Sequence, residues 1–455
     1  MKKLLSGNEA LARGALEARI EIACGYPGTP SSEILENVSK YKEIYSEWSV
    51  NEKVAMDAAA GAAYSGRRAL VTTKQVGMNV MSDSLFYTAY TGAEAALVVV
   101  TADDPGLFSS QNEQDNRHYA KLGKFPMLEP CDSQECKDFM IEAVDMSERF
   151  DTPVVIRTTM RTSHSKSVVE LGAPGSYGRE VGPFPRNIEK YNSMCTWARK
   201  RHYILEQRLL DIEEWSNTWP GNRIEWGGRE YGFIAGGIIY EYVKQVFPEA
   251  SILKLGMCYP LPKKLIREFA DGVRNVIVVE ELDPFIEEQV RAMGIPAHGK
   301  DIFSICGELL PEGCGAGVVA QTRDEGHVAA QARGRDGLVG PFAAVGLHEA
   351  RLADGLARAG QMFDAGNHVD VGTAYYQNLV HVRLSLVNFC RFFALRGPDA
   401  AQPRGDAVFR FSGRPPIVPD AVSCRFAPVV FIGCLCRIRF LWGLWQMFGF
   451  RMLSF

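Results

Sequence analysis

The sequence predicts an α/β protein, with a doubly wound first domain, a smaller second α/β domain and an irregular or disordered tail. Three observations predict it. Strand-like apolar runs alternate with amphipathic helical stretches over residues 8–157 and again over 231–280, the pattern of parallel sheets covered by helices. One run, Ala95-Ala96-Leu97-Val98-Val99-Val100-Thr101, is apolar throughout, as a strand must be when helices pack on both faces of its sheet. Charge supplies the third: residues 1–300 hold 17 Lys and 18 Arg, whereas residues 301–455 hold 15 Arg and no Lys.

Taken in order, the apolar positions Ala10, Leu11, Ala15, Leu16, Ile20 and Ile22 predict a helix running into a short strand. That strand ends at the turn Cys24-Gly25-Tyr26-Pro27-Gly28. Thr29-Pro30-Ser31-Ser32-Glu33 then starts a helix, with a hydroxyl cap and Pro at the first helical position. A strand near 44–50 leads into a helix over 51–65, a strand over 69–73 and a helical stretch past Gly77. After the run 95–101 come a polar loop over 103–117, a helix over 133–148 and a strand over 153–157. Residues 1–171 are thus the first domain. Residues 172–228 break the rhythm with Gly and Pro and then a charged helix over 197–215, which reads as a connector. Alternation resumes over 229–311: a strand at 231–237, a helix to 246, a strand at 251–255, a Pro-bounded helix after Pro262 and a strand at 275–280. From residue 312 periodicity is lost.

The balance of 50 Lys+Arg against 54 Asp+Glu, with 46% hydrophobic residues, excludes collagenous, disordered and disulfide-scaffold classes. A net charge of −4 carries no nucleic-acid footprint. Met1-Lys2-Lys3-Leu4-Leu5-Ser6-Gly7-Asn8-Glu9 reaches an acidic residue before any apolar region of signal-peptide length, so a cytoplasmic location is expected. Eleven Cys include no CxxC pair, the closest being Cys131/Cys136 and Cys434/Cys436. That argues against a zinc ribbon or an iron–sulfur cluster built by this chain alone and for reduced, buried thiols. Arg437, Arg439 and Arg451 interrupt the apolar end at 426–455, so no membrane span is expected.

Ligands of α/β sheets bind beyond the carboxyl ends of the strands. Three turns fall there: residues 25–32, 74–79 and 103–114. The first sets hydroxyls and free N–H groups at a helix start, which suits a carboxylate or phosphate; its bland reading is a plain cap behind a Gly-Pro turn. The dinucleotide fingerprint GxGxxG is missing from Gly25-Tyr26-Pro27-Gly28 and from Gly236-Gly237, which argues against a nicotinamide dehydrogenase. Glu52 opens a helix whose next turns are almost all Ala or Gly. Acidic first-turn residues are common for dipole reasons alone, but a small-residue face lets a planar ligand or another backbone come close. Gly77, after Lys74-Gln75-Val76, suggests a second close approach; otherwise this is an ordinary strand-to-helix turn.

Four motifs carry a family resemblance: Gly25-Tyr26-Pro27-Gly28-Thr29-Pro30-Ser31-Ser32-Glu33, Trp48-Ser49-Val50-Asn51-Glu52-Lys53-Val54-Ala55, Thr73-Lys74-Gln75-Val76-Gly77-Met78-Asn79, and Asp103-Asp104-Pro105-Gly106 through Ser109-Ser110-Gln111-Asn112-Glu113-Gln114. With Leu255-Gly256-Met257-Cys258-Tyr259-Pro260 and Val279-Glu280-Glu281-Leu282-Asp283-Pro284, they resemble the indolepyruvate ferredoxin oxidoreductase alpha subunit, of the thiamine-diphosphate-dependent 2-oxoacid:ferredoxin oxidoreductases. The likeness covers about residues 4–311. It implies a pyrimidine-binding first domain and a transketolase C-terminal-like second domain. It implies that Glu52 hydrogen-bonds the aminopyrimidine ring, favouring the tautomer that takes the thiazolium proton. Gln75 and Gly77 would line that pocket, Thr29 would contact substrate, and Ser109, Ser110 and Gln111 would approach it.

The resemblance further implies oxidative decarboxylation of indolepyruvate or another aryl 2-oxoacid to an acyl-CoA, with electrons to ferredoxin, in an oligomer with a beta subunit. No nucleic-acid or membrane partner is implied, and a pyruvate- or 2-oxoglutarate-specific relative is the open alternative. The family also holds Mg2+ and [4Fe-4S] clusters. Their motifs are absent here: Gly405-Asp406-Ala407 has no Asn after it, the last being Asn388, and no cysteine cluster exists. Residues 312–455 therefore read as a divergent or out-of-frame tail, or else as an unrelated domain. The chain alone is expected to be catalytically incomplete, with a non-catalytic partner-binding remnant as the rival reading.

Overall fold

The computed structural model describes residues 1–175 and 186–315; the expected irregular tail lies outside them from residue 316 on. The first domain runs β1 (Lys2–Ser6), α1 (Gly7–Glu17), β2 (Ile22–Gly25), α2 (Ser32–Val38), β3 (Tyr45–Trp48), α3 (Glu52–Tyr64), β4 (Ala69–Lys74), α4 (Gln75–Thr91), β5 (Leu97–Asp103), α5 (Arg117–Gly123), β6 (Met127–Leu128), α6 (Ser133–Phe150), β7 (Val154–Thr159), α7 (Met160–His164) and β8 (Lys166–Glu170). Next come α8 (Ile188–Tyr191), α9 (Cys195–Ser216), β9 (Arg223–Glu225), β10 (Gly228–Gly236), α10 (Gly237–Val246), β11 (Ala250–Leu255), β12 (Met257–Tyr259), α11 (Lys263–Asp271), β13 (Asn275–Val279) and α12 (Phe285–Ala292).

Local chemistry starts the helices where the sequence places them. Ser6 and Glu9 form a reciprocal capping box at α1. The side chains of Asn51 and Asp132 accept from Val54 N at 3.0 Å and Glu135 N at 2.8 Å to cap α3 and α6. The large sheet has seven strands in the order β12-β6-β7-β5-β4-β2-β3. Its central strand β5 is buried along its whole length and pairs in parallel with β4 and β7, Val99 lying opposite Val71 and Val155. Alternate residues of β5 serve two cores. Val98 and Val100 pack with Leu11, Leu16, Ile34 and Met140 on one face, and Leu97 and Val99 pack with Met56, Met78, Leu85 and Phe125 on the other. That is the doubly wound arrangement the apolar run predicts. The small residues Ala55, Ala59 and Ala63 of α3 lie buried in the second core, so the close approach they permit is of another helix and the sheet.

The second sheet has the order β13-β10-β11-β9, with β10 parallel to β11 and β13. Two features cross the expected boundaries. β9, inside the segment read as a connector, pairs antiparallel with β11. β12, from the second domain, pairs antiparallel with β6 and becomes the edge of the large sheet. Helix α9 is anchored on α4, Arg208 donating to Ala89 O at 2.8 Å and Arg201 to Tyr90 O at 2.8 Å. The polar loop expected over 103–117 gives way to α5 at Arg117, and the pairing of β1 with β8 is an addition to the predicted elements. No helix among the described residues is long and apolar enough to cross a membrane. Of the seven described cysteines, Cys24, Cys131, Cys136, Cys258 and Cys314 are buried. Burial pushes the Cys24 thiol up to about 11 and Cys314 up to about 12, which leaves both unreactive.

Candidate active site

The three predicted turns meet at the carboxyl end of the large sheet, joined through β4 and the start of α4. Glu52, at the first position of α3, is half-buried and lies against Gly77. A Cβ added at Gly77 would stand 2.6 Å from Glu52 Oε1 and 2.7 Å from its Cγ. Glycine is therefore the residue that lets the carboxylate occupy this place. Among the described residues the Glu52 side chain makes no hydrogen bond or ion pair. A half-buried carboxylate without a partner is costly unless a donor arrives, so the position fits a ligand N–H.

Gln75 is fully buried and its amide is committed at both ends: Asp104 N donates to its Oε1 at 2.8 Å, and its Nε2 donates to Asn112 O at 2.6 Å. It holds the third turn in place. Asp104, also fully buried, gathers the same turn from inside, accepting from Ser109 N at 2.8 Å and from Ser110 Oγ at 2.5 Å. Gln114 and Asn116 close the loop, Gln114 Nε2 donating to Gln75 O at 2.9 Å and Asn116 Nδ2 to Thr101 Oγ1 at 2.7 Å. Lys74 ties the third turn to the first. Its ammonium donates to Ser109 O, and its stem lies so close to Gly28 that an added Cβ there would be 2.9 Å from Lys74 Cβ. Thr29 and Gln111 are exposed at the mouth, as is Ser109, while Ser110 is half-buried. The sequence singles out Glu52, Gly77 and the loop, which the fold brings to one end of the sheet. It misses Lys74, the last residue of β4, and Asp104, the residue after β5, neither of which carries a local anomaly in the sequence.

Behind this site a buried ionic network spans the junction of the two sheets. Arg117 contacts Asp115 at 2.5 Å and Glu280 at 2.6 Å, and donates to Glu281 O at 2.8 Å. Arg157 contacts Asp103 at 2.7 Å and pairs with Glu129. Burial pushes Asp103 up to about 6 against the pull of Arg157, whereas the two arginines overcome burial at Asp115 and hold it at about 2. Glu281 accepts from Leu309 N at 3.1 Å, and burial still pushes its carboxyl up to about 7. Asp115, His118 and Asp283 stand close enough to share a cation, but Arg117 occupies both oxygens of Asp115.

Residues 13–192 match the family model described as pyruvate flavodoxin/ferredoxin oxidoreductase, thiamine diphosphate-binding. The chain is 44% identical over 311 residues to an indolepyruvate oxidoreductase subunit of Archaeoglobus fulgidus, covering 66% of this chain and 50% of the relative. It is 26% identical over 346 residues to a 2-oxoglutarate synthase subunit of the same organism, covering 68% of this chain and 96% of that subunit. The chain thus spans about half the length of the indolepyruvate oxidoreductase subunits it matches. A solved 2-oxoglutarate:ferredoxin oxidoreductase from Magnetococcus marinus shares the fold, with a TM-score of 0.59 at 17% identity over 71% of this chain and 65% of that one.

Proposed function

We propose that this chain, which matches the thiamine diphosphate-binding family model over residues 13–192 and indolepyruvate oxidoreductase subunits over 311 residues, supplies the pyrimidine-side half of the cofactor site in an aryl 2-oxoacid oxidoreductase. The observation that carries this reading is Glu52, a half-buried carboxylate with no partner among the described residues, seated against Gly77 at the carboxyl end of the sheet. Glu52 would accept the hydrogen bond of the aminopyrimidine and hold the proton that tunes it, and Gly77 would keep that carboxylate in place. Gln75 would act by fixing the loop beside the ring. When bound, thiamine diphosphate supplies a nucleophilic carbon for the ketone and an electron sink for decarboxylation. Thr29, Ser109, Ser110 and Gln111 would border the substrate at the mouth.

Indolepyruvate or another aryl 2-oxoacid is the substrate this reading favours, because identity to the indolepyruvate oxidoreductase subunits exceeds identity to the 2-oxoglutarate synthase subunits. The product would be an acyl-CoA, with electrons passing to ferredoxin in the cytoplasm. The diphosphate and its Mg2+ would be held by a second thiamine half, for which the indolepyruvate oxidoreductase subunits, half covered by this chain, have the length beyond the matched region. The [4Fe-4S] clusters of the family would also lie outside this chain, which has no CxxC pair. The test is turnover of the purified chain with thiamine diphosphate, Mg2+, CoA, ferredoxin and indolepyruvate, without and with a beta subunit. The expected result is no turnover by the chain alone. Robust turnover by the chain alone contradicts the division.

A further inference from the structure

We propose that Lys74 is the cation that receives the substrate carboxylate and so determines the site's preference for 2-oxoacids over uncharged ketones. The inference rests on the reading of the site as a thiamine-dependent 2-oxoacid site. Lys74 is the last residue of β4, between β2 and β5 in the large sheet, where the crevice of an α/β sheet opens. Its stem packs on Gly28 and its ammonium donates to Ser109 O, so the charge sits where the first and third turns converge. An ammonium has three donors, and that carbonyl engages one.

No carboxylate lies within ion-pair distance of Lys74 among the described residues, whereas the nearby Lys53 pairs with Asp83 at 2.7 Å. Residues 25–33, 48–52, 75–79 and 103–116, which form the turns of the site, contain neither Lys nor Arg. An incoming 2-oxoacid would otherwise face the negative charges of Glu52, Asp104 and Glu113. Partial burial lowers the Lys74 pKa from its ordinary value against the opposing pull of the Asp104 carboxylate. A carboxylate on Lys74 would turn the adjacent ketone toward the α4 side of the crevice, where Glu52 and Gly77 stand.

The experiment titrates phenylpyruvate and its methyl ester by calorimetry into the full chain as wild type, Lys74→Gln, Lys74→Met and Lys74→Arg, with a separate thiamine diphosphate titration of each. The expected result is a loss of tenfold or more in acid affinity for Lys74→Gln and Lys74→Met, with ester and cofactor affinities unchanged, and an acid preference retained by Lys74→Arg. Melting curves confirm that the variants fold, and Lys74→Met keeps the packed stem if Lys74→Gln does not. Equal acid affinity in wild type and a folded neutral variant overturns the proposal, as does a wild type that does not prefer the acid. A parallel loss of cofactor affinity also overturns it, because Lys74 would then act by holding the loop. A Lys74-dependent acid preference in a chain that binds no thiamine diphosphate upholds the carboxylate site and removes the cofactor reading.

Discussion

Two neighbouring residues, Glu52 and Gly77, define one another. Replacing Gly77 with Ala would gain about 1 kcal/mol of helix propensity in α4, but the new Cβ would collide with Thr73 Oγ1 and stand 2.6 Å from Glu52 Oε1. Overpacking of this kind costs about 1–3 kcal/mol, so the clash wins. Gly77→Ala is expected to lower the melting temperature and to displace the Glu52 carboxylate, which a thermal melt beside a cofactor titration would register; an unchanged melt would show that the contact is slack. Both residues are legible in the sequence because each carries a local anomaly: an acid opening an Ala-rich helix, and a glycine just inside another. Asp104 and Lys74 carry none. A charged residue closing a buried strand looks like any strand end until the fold shows which loops it gathers.

The third turn is an element held from below. Gln75 and Asp104 together bind the backbone at residues 104, 108, 109 and 112. Removing such a buried acceptor leaves amides unpaired at about 1–3 kcal/mol each. Asp104→Ala is therefore expected to speed hydrogen exchange at Phe108 and Ser109 by tenfold or more while β4 and β5 stay protected. Unchanged exchange would mean that the loop is held by its own side chains. The longer elements follow from sequence because a period of 3.6 or a fully apolar run repeats enough to be read. β6 and β12, of two and three residues, offer no period at all. Their pairing exists only because the second domain brings Met257 opposite Leu128. The pairing of β1 with β8 is hidden for another reason, since its partners lie more than 150 residues apart in the chain.

At the scale of the molecule, the β6–β12 pair and the Arg117 network join the two sheets, and that junction holds a titrating group. Glu281 is 5% exposed with a carboxyl near 7, above its unfolded value. Its contribution is therefore full below the unfolded pKa near 4.5 and is lost as pH rises through 7. Asp115, held near 2, works in the opposite sense and fails only in acid. Stability is expected to fall by roughly 2–3 kcal/mol between pH 5 and 8 through Glu281. Glu281→Gln keeps an acceptor for Leu309 N and should flatten that decline in denaturant titrations; an identical slope would remove Glu281 from the account. Composition marks a second large-scale feature, the disappearance of Lys after Lys300. Sequencing the coding DNA across codons 305–320 is expected to reveal a single-base shift whose correction restores a cysteine-rich frame, and an intact frame would favour an unrelated domain. The central claim, that this chain holds the pyrimidine side of a thiamine site, is tested most directly by titrating thiamine diphosphate and Mg2+ into the wild type and Glu52→Ala in the presence of the beta subunit. The account predicts binding to the wild type that weakens at least tenfold in the variant; equal affinity in the two proteins would contradict it.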